Sequence, residues 1–236
     1  MTTPAVLVFD VNETLIDIES LAPLFADLFG DERMLREWFA QLIMYSMGIT
    51  LADTGHVTFP VLAGGVLRML GDVHRVEVTD DHLDRLTSGL LTMPAHPDAD
   101  EGLAALRDNG FRLVTLTNSP PDPDGPTALQ NSGLAGFFER QLSIEARAAF
   151  KPAPAVYRYV CDELGVTPGE CMMVAAHVWD TLGAQSVGFG GALITRRGNA
   201  PLPVSGLPQP DIVAGDLREL AERLTQTEGI AKSGNS

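Results

Sequence analysis

The chain has 236 residues, with 16 Lys and Arg against 31 Asp and Glu and a formal charge of −15. Nucleic acid and anionic membrane surfaces are bound by clustered cations that displace counterions, so neither is an expected partner of so acidic a chain. At 45% hydrophobic and 20% charged residues, the composition is that of a folded globular protein, either one large domain or a core carrying a smaller one.

The N-terminus, MTTPAVLVFD, has no basic start followed by a long apolar stretch, and no run of 18 apolar residues follows anywhere. The expectation is a cytoplasmic protein without a membrane span. Residues 5–9 form a continuous β-branched and aromatic run ending at Asp10, as expected for a strand covered on both faces of a parallel sheet. Residues 16–95 differ in texture. Apolar side chains recur there at helical spacing, as in Leu35, Trp38, Phe39, Leu42, Ile43 and again in Val61, Leu62, Val66, Leu67, Leu70. An insertion of this length is no simple crossover, and it reads as a helical cap subdomain over one end of the sheet. The two apolar stripes exceed what a small cap needs to bury, so an isologous homodimer is expected, unless the stripes pack on each other.

After the cap, a helix at 99–109 stops at Gly110 and leads into a strand at 111–117. A helix at 155–164 stops at Gly165 before a strand at 171–175, and a helix at 180–187 precedes a strand at 191–195. The two cysteines, Cys161 and Cys171, are too few for a disulfide framework and lack zinc-site spacing, so both are expected to be buried and inert. Strands alternating with helices imply an α/β fold, a doubly wound, Rossmann-like parallel sheet. The core domain comprises residues 1–15 and 96–227, and the polar residues 228–236 read as a flexible tail.

Ligands of open α/β sheets sit outside the carboxyl ends of the strands. The first strand delivers Asp10, then Asn12 and Thr14; the second delivers Thr117, Asn118 and Ser119. Lys151 precedes the helix at 155–164, and the third strand leads to His177 and Asp180. Each has an ordinary reading: Asp10 a turn cap, Lys151 a solvated loop residue, His177 a satisfied half-buried histidine, Asp180 a helix N-cap. Their arrival at strand ends of one α/β pattern makes them a candidate catalytic set.

The segments VFDVNETL at 8–15, LTNS at 116–119, FKPAPAVY at 150–157 and MVAAHVWDTLGAQSVGF at 173–189 resemble the four ordered motifs of the haloacid dehalogenase superfamily. Among its members the chain most resembles the type II L-2-haloacid dehalogenases, which carry a small helical cap after the first motif and are commonly homodimers. The phosphatases of the superfamily carry Asp-x-Asp, whose second Asp moves a proton, and bind Mg²⁺ through a fourth-motif carboxylate. Here those positions are Asn12 and Ala176, and neither offers that chemistry. A metal-dependent phosphatase is therefore disfavoured, and no cofactor or metal is expected.

The resemblance implies that Asp10 attacks Cα of a small 2-substituted carboxylic acid, expels the leaving group and forms an ester. Water then hydrolyses the ester to a 2-hydroxy acid. By the same likeness Lys151 places positive charge beside Asp10, and Thr14, Thr117 and Asn118 supply donors for the substrate carboxylate and the oxyanion. Asp180 orients Lys151 and the hydrolytic water, with Tyr157 in support.

Three positions depart from the pattern. The cap arginine that meets the departing halide in these relatives, one residue after a tryptophan, is Phe39 here; Arg36 could replace it only if the cap helix turned or shifted. The aromatic residue two after the nucleophile is Asn12, and Ser-Ser-Asn of the fourth motif is Ala175-Ala176-His177. His177 is expected to act as a general base on the ester, a role no amide can fill, or else to shape the pocket. The expectation is a 2-haloacid dehalogenase. The alternatives are a hydrolase with a non-halide leaving group, similar to L-azetidine-2-carboxylate hydrolase, and a non-catalytic relative that binds a small acid.

Overall fold

The computed structural model describes residues 4–121 and 125–233, with side chains described to Gln226. Six strands are all parallel: β1 (Val6–Phe9), β2 (Arg112–Thr117), β3 (Arg140–Ser143), β4 (Cys171–Ala175), β5 (Gly190–Ile194) and β6 (Ile212–Ala214), in the order β3-β2-β1-β4-β5-β6. The central strands are the continuous apolar runs. Val6, Leu7, Val8 and Phe9 are wholly buried, each worth about 1.5–3 kcal/mol on removal from water. Such sequences suit positions covered by helices on both faces.

Helices α1 (Ala22–Phe29), α2 (Met34–Ala52), α3 (Phe59–His74) and α4 (Asp80–Leu91) lie between β1 and α5 (Ala99–Asp108). The short helix α6 (Ala128–Asn131), then α7 (Pro154–Leu164), α8 (Val178–Gln185) and α9 (Leu217–Ser233) complete the chain. Helix α7 begins with a proline, whose fixed φ and missing N–H suit a first turn, and stops at Gly165 with φ of +65°. Helix α9 runs through part of the segment expected to be a flexible tail, and residues 234–236 lie outside the described residues.

The chain leaves the sheet layer at Ile16 and returns at Ala95, and these two residues face each other as an antiparallel bridge. Hydrogen bonds from Asp17 N to Pro94 O (2.8 Å) and from His96 N to Leu15 O (2.9 Å) close this neck. Beyond it the stripe of α2 packs on that of α3: Trp38 and Leu42 are wholly buried, as are Ala63 and Leu67, and Trp38 Nε1 donates to Ala63 O at 3.0 Å. Much of both stripes is thus buried within the chain, although Val61 stays 65% exposed. None of the described helices is long and apolar enough to cross a membrane.

Two strands escaped the sequence reading. Both β3 and β6 are short edge strands, and in β3 only Leu142 is fully buried, so no continuous apolar run marks it. Helix α8 starts at Val178 with His177 as its N-cap residue, which places Asp180 inside the first turn and not at the cap.

Candidate active site

From β1 the chain passes to β2 and β3 on one side, then crosses to β4 on the other, so the strand order reverses between β1 and β4. A crevice opens at the carboxyl ends of such a pair. Register places Phe9 beside Thr115 and Val174, and Asp10 N donates to Val174 O at 3.0 Å. Asp10, Asn118 and His177, the last two just past the ends of β2 and β4, thereby reach one small cavity, whose wall also includes Asn12 and Trp179. Phe39 and Ile43 of α2 and Phe59 of α3 cover it from the cap. Room for a water centre amounts to about 10 Å³, the threshold for a single water.

Both carboxylate oxygens of Asp10 are held. Lys151 Nζ donates to Oδ1 at 2.7 Å, and Thr14 Oγ1 donates to Oδ2 at 2.8 Å while accepting from Ala176 N at 2.9 Å. Lys151 is wholly buried, against the ordinary reading of a solvated loop residue. Its other two protons go to Asp180 Oδ2 at 2.6 Å and Leu116 O at 3.0 Å. Asn118 supports it from the side, accepting Lys151 N at 3.1 Å through Oδ1. Burial pulls the Lys151 ammonium towards deprotonation, but the charges of Asp10 and Asp180 outweigh it and hold the lysine above its usual range.

Asp180 has no exposure, and its Oδ1 accepts from Tyr157 Oη at 2.7 Å. Burial and nearby Asp10 push its carboxyl up against the opposing pull of Lys151 and Tyr157. Tyr157, expected in support of this cluster and as a substrate contact, is wholly buried behind Asp180, and burial together with Asp180 raises its hydroxyl well above the usual phenol. It remains a proton donor that braces the carboxylate. This contact depends on Gly183, where a β-carbon would stand 2.6 Å from Tyr157 Oη.

Thr117 faces elsewhere. Its hydroxyl accepts from Ser119 N at 3.1 Å, and it lines a second cavity of about 350 Å³ between β2, β3 and the cap. Asn12 and Phe59 belong to the walls of both cavities. The cysteines are buried, with burial raising Cys161 and pushing Cys171 up to about 12, as inert thiols should be.

Phe39 lines the small cavity with its ring 5.5 Å from that of His177. Arg36 does not replace the missing cap cation: its guanidinium binds Glu13, Glu19 and the carbonyl of Arg197. Glu13 went unnoticed in the sequence. It is 2% exposed, its Oε2 lies 2.8 Å from His177 Nε2, and burial, which would raise its carboxyl, is outweighed by His177 and Arg36, which lower it. Trp179, which stacks on His177 with centroids 5.2 Å apart, was noticed only as part of a motif. No local signal marks these two, since their partners lie on other elements.

A profile of haloacid dehalogenase-like hydrolases matches residues 4–188. The chain is 33% identical over 196 residues to (S)-2-haloacid dehalogenase 4A of Burkholderia cepacia, covering 82% of this chain and 84% of that one. It is 30% identical to (S)-2-haloacid dehalogenase 1 of Pseudomonas sp. (strain CBS-3), covering 93% and 97%. Among solved structures, the L-2-haloacid dehalogenase from Xanthobacter autotrophicus with chloropropionic acid covalently bound superposes with a TM-score of 0.82 at 25% identity, over 94% of this chain and 98% of that one. With the parallel sheet, the four motifs and these likenesses in agreement, the chain belongs to the haloacid dehalogenase-like hydrolases, as a hydrolase of the dehalogenase type.

Proposed function

We propose that the protein hydrolyses a small 2-substituted carboxylic acid, a 2-haloacid in the first instance, through an ester on Asp10. The supporting observation is the state of Asp10: each oxygen is fixed by one donor, one of them a buried ammonium, and the carboxylate is itself buried beside a cavity with room for about one water. A poorly hydrated carboxylate aimed by fixed donors is a competent nucleophile, since no solvent shell must be stripped before attack. Attack of one Asp10 oxygen on Cα forms the C–O bond as the carbon–halogen bond breaks, and the halide leaves with the electron pair. Lys151 stays beside the ester carbonyl and stabilises the oxyanion formed when water attacks it. Asn118, bordering the same cavity, offers its amide to the substrate carboxylate. Asn12 and Ala176 bring no carboxylate to the positions at which the phosphatase alternative would need one.

Turnover of 2-chloropropionate in ¹⁸O water tests this reading. The expected result is ¹⁸O in the Asp10 carboxyl after several turnovers, detected by peptide mass spectrometry. An active enzyme without that label overturns it.

A second reading is favoured by the cap. With Phe39 in the wall and Arg36 bound to Glu13 and Glu19, no guanidinium of the described residues lines the small cavity. The same ester chemistry then suits a leaving nitrogen, as in the opening of azetidine-2-carboxylate, which stays tethered and needs no halide-binding cation. Comparing kcat/KM for 2-chloropropionate, fluoroacetate and azetidine-2-carboxylate, with EDTA present, separates the two.

A further inference from the structure

Among the titratable groups bordering the small cavity, His177 has a surrounding that the network of Asp10, Lys151, Asp180 and Tyr157 does not explain. Its side chain is only one-tenth exposed, and its two nitrogens are treated differently. Nε2 lies at ion-pair distance, 2.8 Å, from Glu13 Oε2, and both that oxygen and Nδ1 are buried without a hydrogen-bond partner among the described residues. Leaving a buried ring nitrogen unmatched costs about 1–3 kcal/mol, an expense that marks it for a ligand or a water. Trp179 and Phe39 pack against the ring and restrict its turning.

Glu13 is built to serve that contact. Its backbone takes the left-handed conformation, φ +66°, which disfavours a branched or long side chain by about 1–2 kcal/mol. Four bonds hold it there. Its N–H donates to Ile16 O at 2.9 Å, its carbonyl accepts from His96 Nε2 at 3.0 Å, and Oε1 takes both the Arg36 guanidinium and the Asn199 amide, the latter at 3.1 Å. A buried carboxylate so paired is an anion, and an anion beside Nε2 selects the tautomer with hydrogen on Nε2 and the lone pair on Nδ1. The competing carboxylate is already committed: Asp180 spends Oδ2 on Lys151 and Oδ1 on Tyr157, is wholly buried, and forms no part of the cavity wall.

We infer that His177 Nδ1 is the general base for the water that hydrolyses the Asp10 ester, and that Glu13, with Arg36 behind it, is the positioning residue that sets its tautomer. The inference rests on the aspartyl-ester reading above. As the water oxygen bonds to Cγ of Asp10, Nδ1 takes one of its protons. The tetrahedral adduct then collapses, the bond from Cγ to the substrate oxygen breaks, and the imidazolium returns the proton to that oxygen as the 2-hydroxy acid departs. Asp10 is left as a carboxylic acid carrying one oxygen from water, and loses its proton to solvent. With halide as the first leaving group, one water is consumed and one proton and one halide are released.

Rapid-quench kinetics with 2-chloropropionate, reading halide release and the intact mass of the protein, tests the assignment. His177→Asn is expected to give one equivalent of halide and to accumulate the ester, with its hydrolysis slowed about 10²–10⁴-fold. Glu13→Gln is expected to slow hydrolysis about 10–100-fold and to move the acid limb of its pH profile to lower pH, while Glu13→Asp restores part of the rate. The charged groups around the imidazole are Glu13, with Arg36 through it, and Asp10 with Lys151 across the cavity. In the native enzyme, ester hydrolysis must fall at low pH with the loss of one proton-accepting group. That measurement needs no variant to fold. Native-rate hydrolysis in His177→Asn, or a flat native profile between about pH 5 and 9, overturns the role of His177. A native enzyme that turns over substrate and never carries the ester mass overturns the reading beneath it instead.

Discussion

The two walls of the small cavity are made on different terms. On the core side Asp10, Thr14, Asn118, Lys151, Asp180 and Tyr157 form one buried network in which the three protons of Lys151 and both oxygens of each aspartate have partners. On the cap side the wall is Phe39, Ile43 and Phe59, side chains without a hydrogen-bonding group. Ionic and polar groups hold position through directional bonds, and changing one leaves its partners stranded. Apolar walls hold position by filling space, and they tolerate exchange at the cost of shape. On the proposed function, the core wall carries the reaction type, and the cap wall sets leaving group and substrate size.

The largest blow to the core wall is Asp10→Asn, which removes the proposed nucleophile and is expected to abolish turnover by on the order of 10⁴-fold or more. Halide release measured over hours is the readout, and residual activity within tenfold of native would break the division of labour. Lys151→Met comes next. It leaves two buried carboxylates facing each other, so the expected loss is about 10²–10³-fold in kcat and about 3–5 kcal/mol of stability, the latter read by urea denaturation. A variant as stable as the native chain would show that the network is not a unit.

On the cap wall, Phe39→Ala should act differently. It is expected to cost about 3 kcal/mol while raising the preference for 2-chlorobutyrate over chloroacetate by about tenfold or more, the discrimination a methylene commands in an apolar pocket. Equal losses for both acids would mean that the cap does not set substrate size. The smallest effect expected is in acid stability. Glu13 and Asp98 are both buried, and burial would raise each carboxyl. Contacts outweigh it in both: His177 and Arg36 for Glu13, and Arg196 with the Leu217 N–H for Asp98. A folded-state value below the unfolded one gives stability that is present above the usual carboxylate range and is lost as pH falls through it. Tm should therefore drop below about pH 4, and less so in Glu13→Gln, whose contribution is already missing.

Legibility followed burial and locality. The central strands could be read because a strand covered on both faces leaves a continuous apolar run, as in Val6 to Phe9. Edge strands β3 and β6 could not, because they are short and only partly covered. Asp10, Lys151 and Asp180 were legible as strand-end residues in an ordered motif set. Glu13 was not. It is a lone acid in a polar turn whose partners, Arg36 and His177, sit on α2 and at the start of α8. Tyr157 was legible as a member of the cluster but not as a brace behind Asp180, a distinction of depth that spacing along a helix does not carry.

By itself, then, the sequence determined the α/β order, the helical insertion after the first strand and the gathering of polar residues at strand ends, all consequences of local periodicity and of strand-end position. The tertiary structure alone decided that Arg36 is spent on Glu13 and Glu19, that Trp38 of one cap helix is buried against Ala63 of the next, and that one nitrogen of His177 lies against Glu13 while the other has no partner among the described residues. Those outcomes depend on which side chains from distant segments come within about 3 Å of one another, the range at which hydrogen bonds form, and no pattern along a single chain encodes that distance.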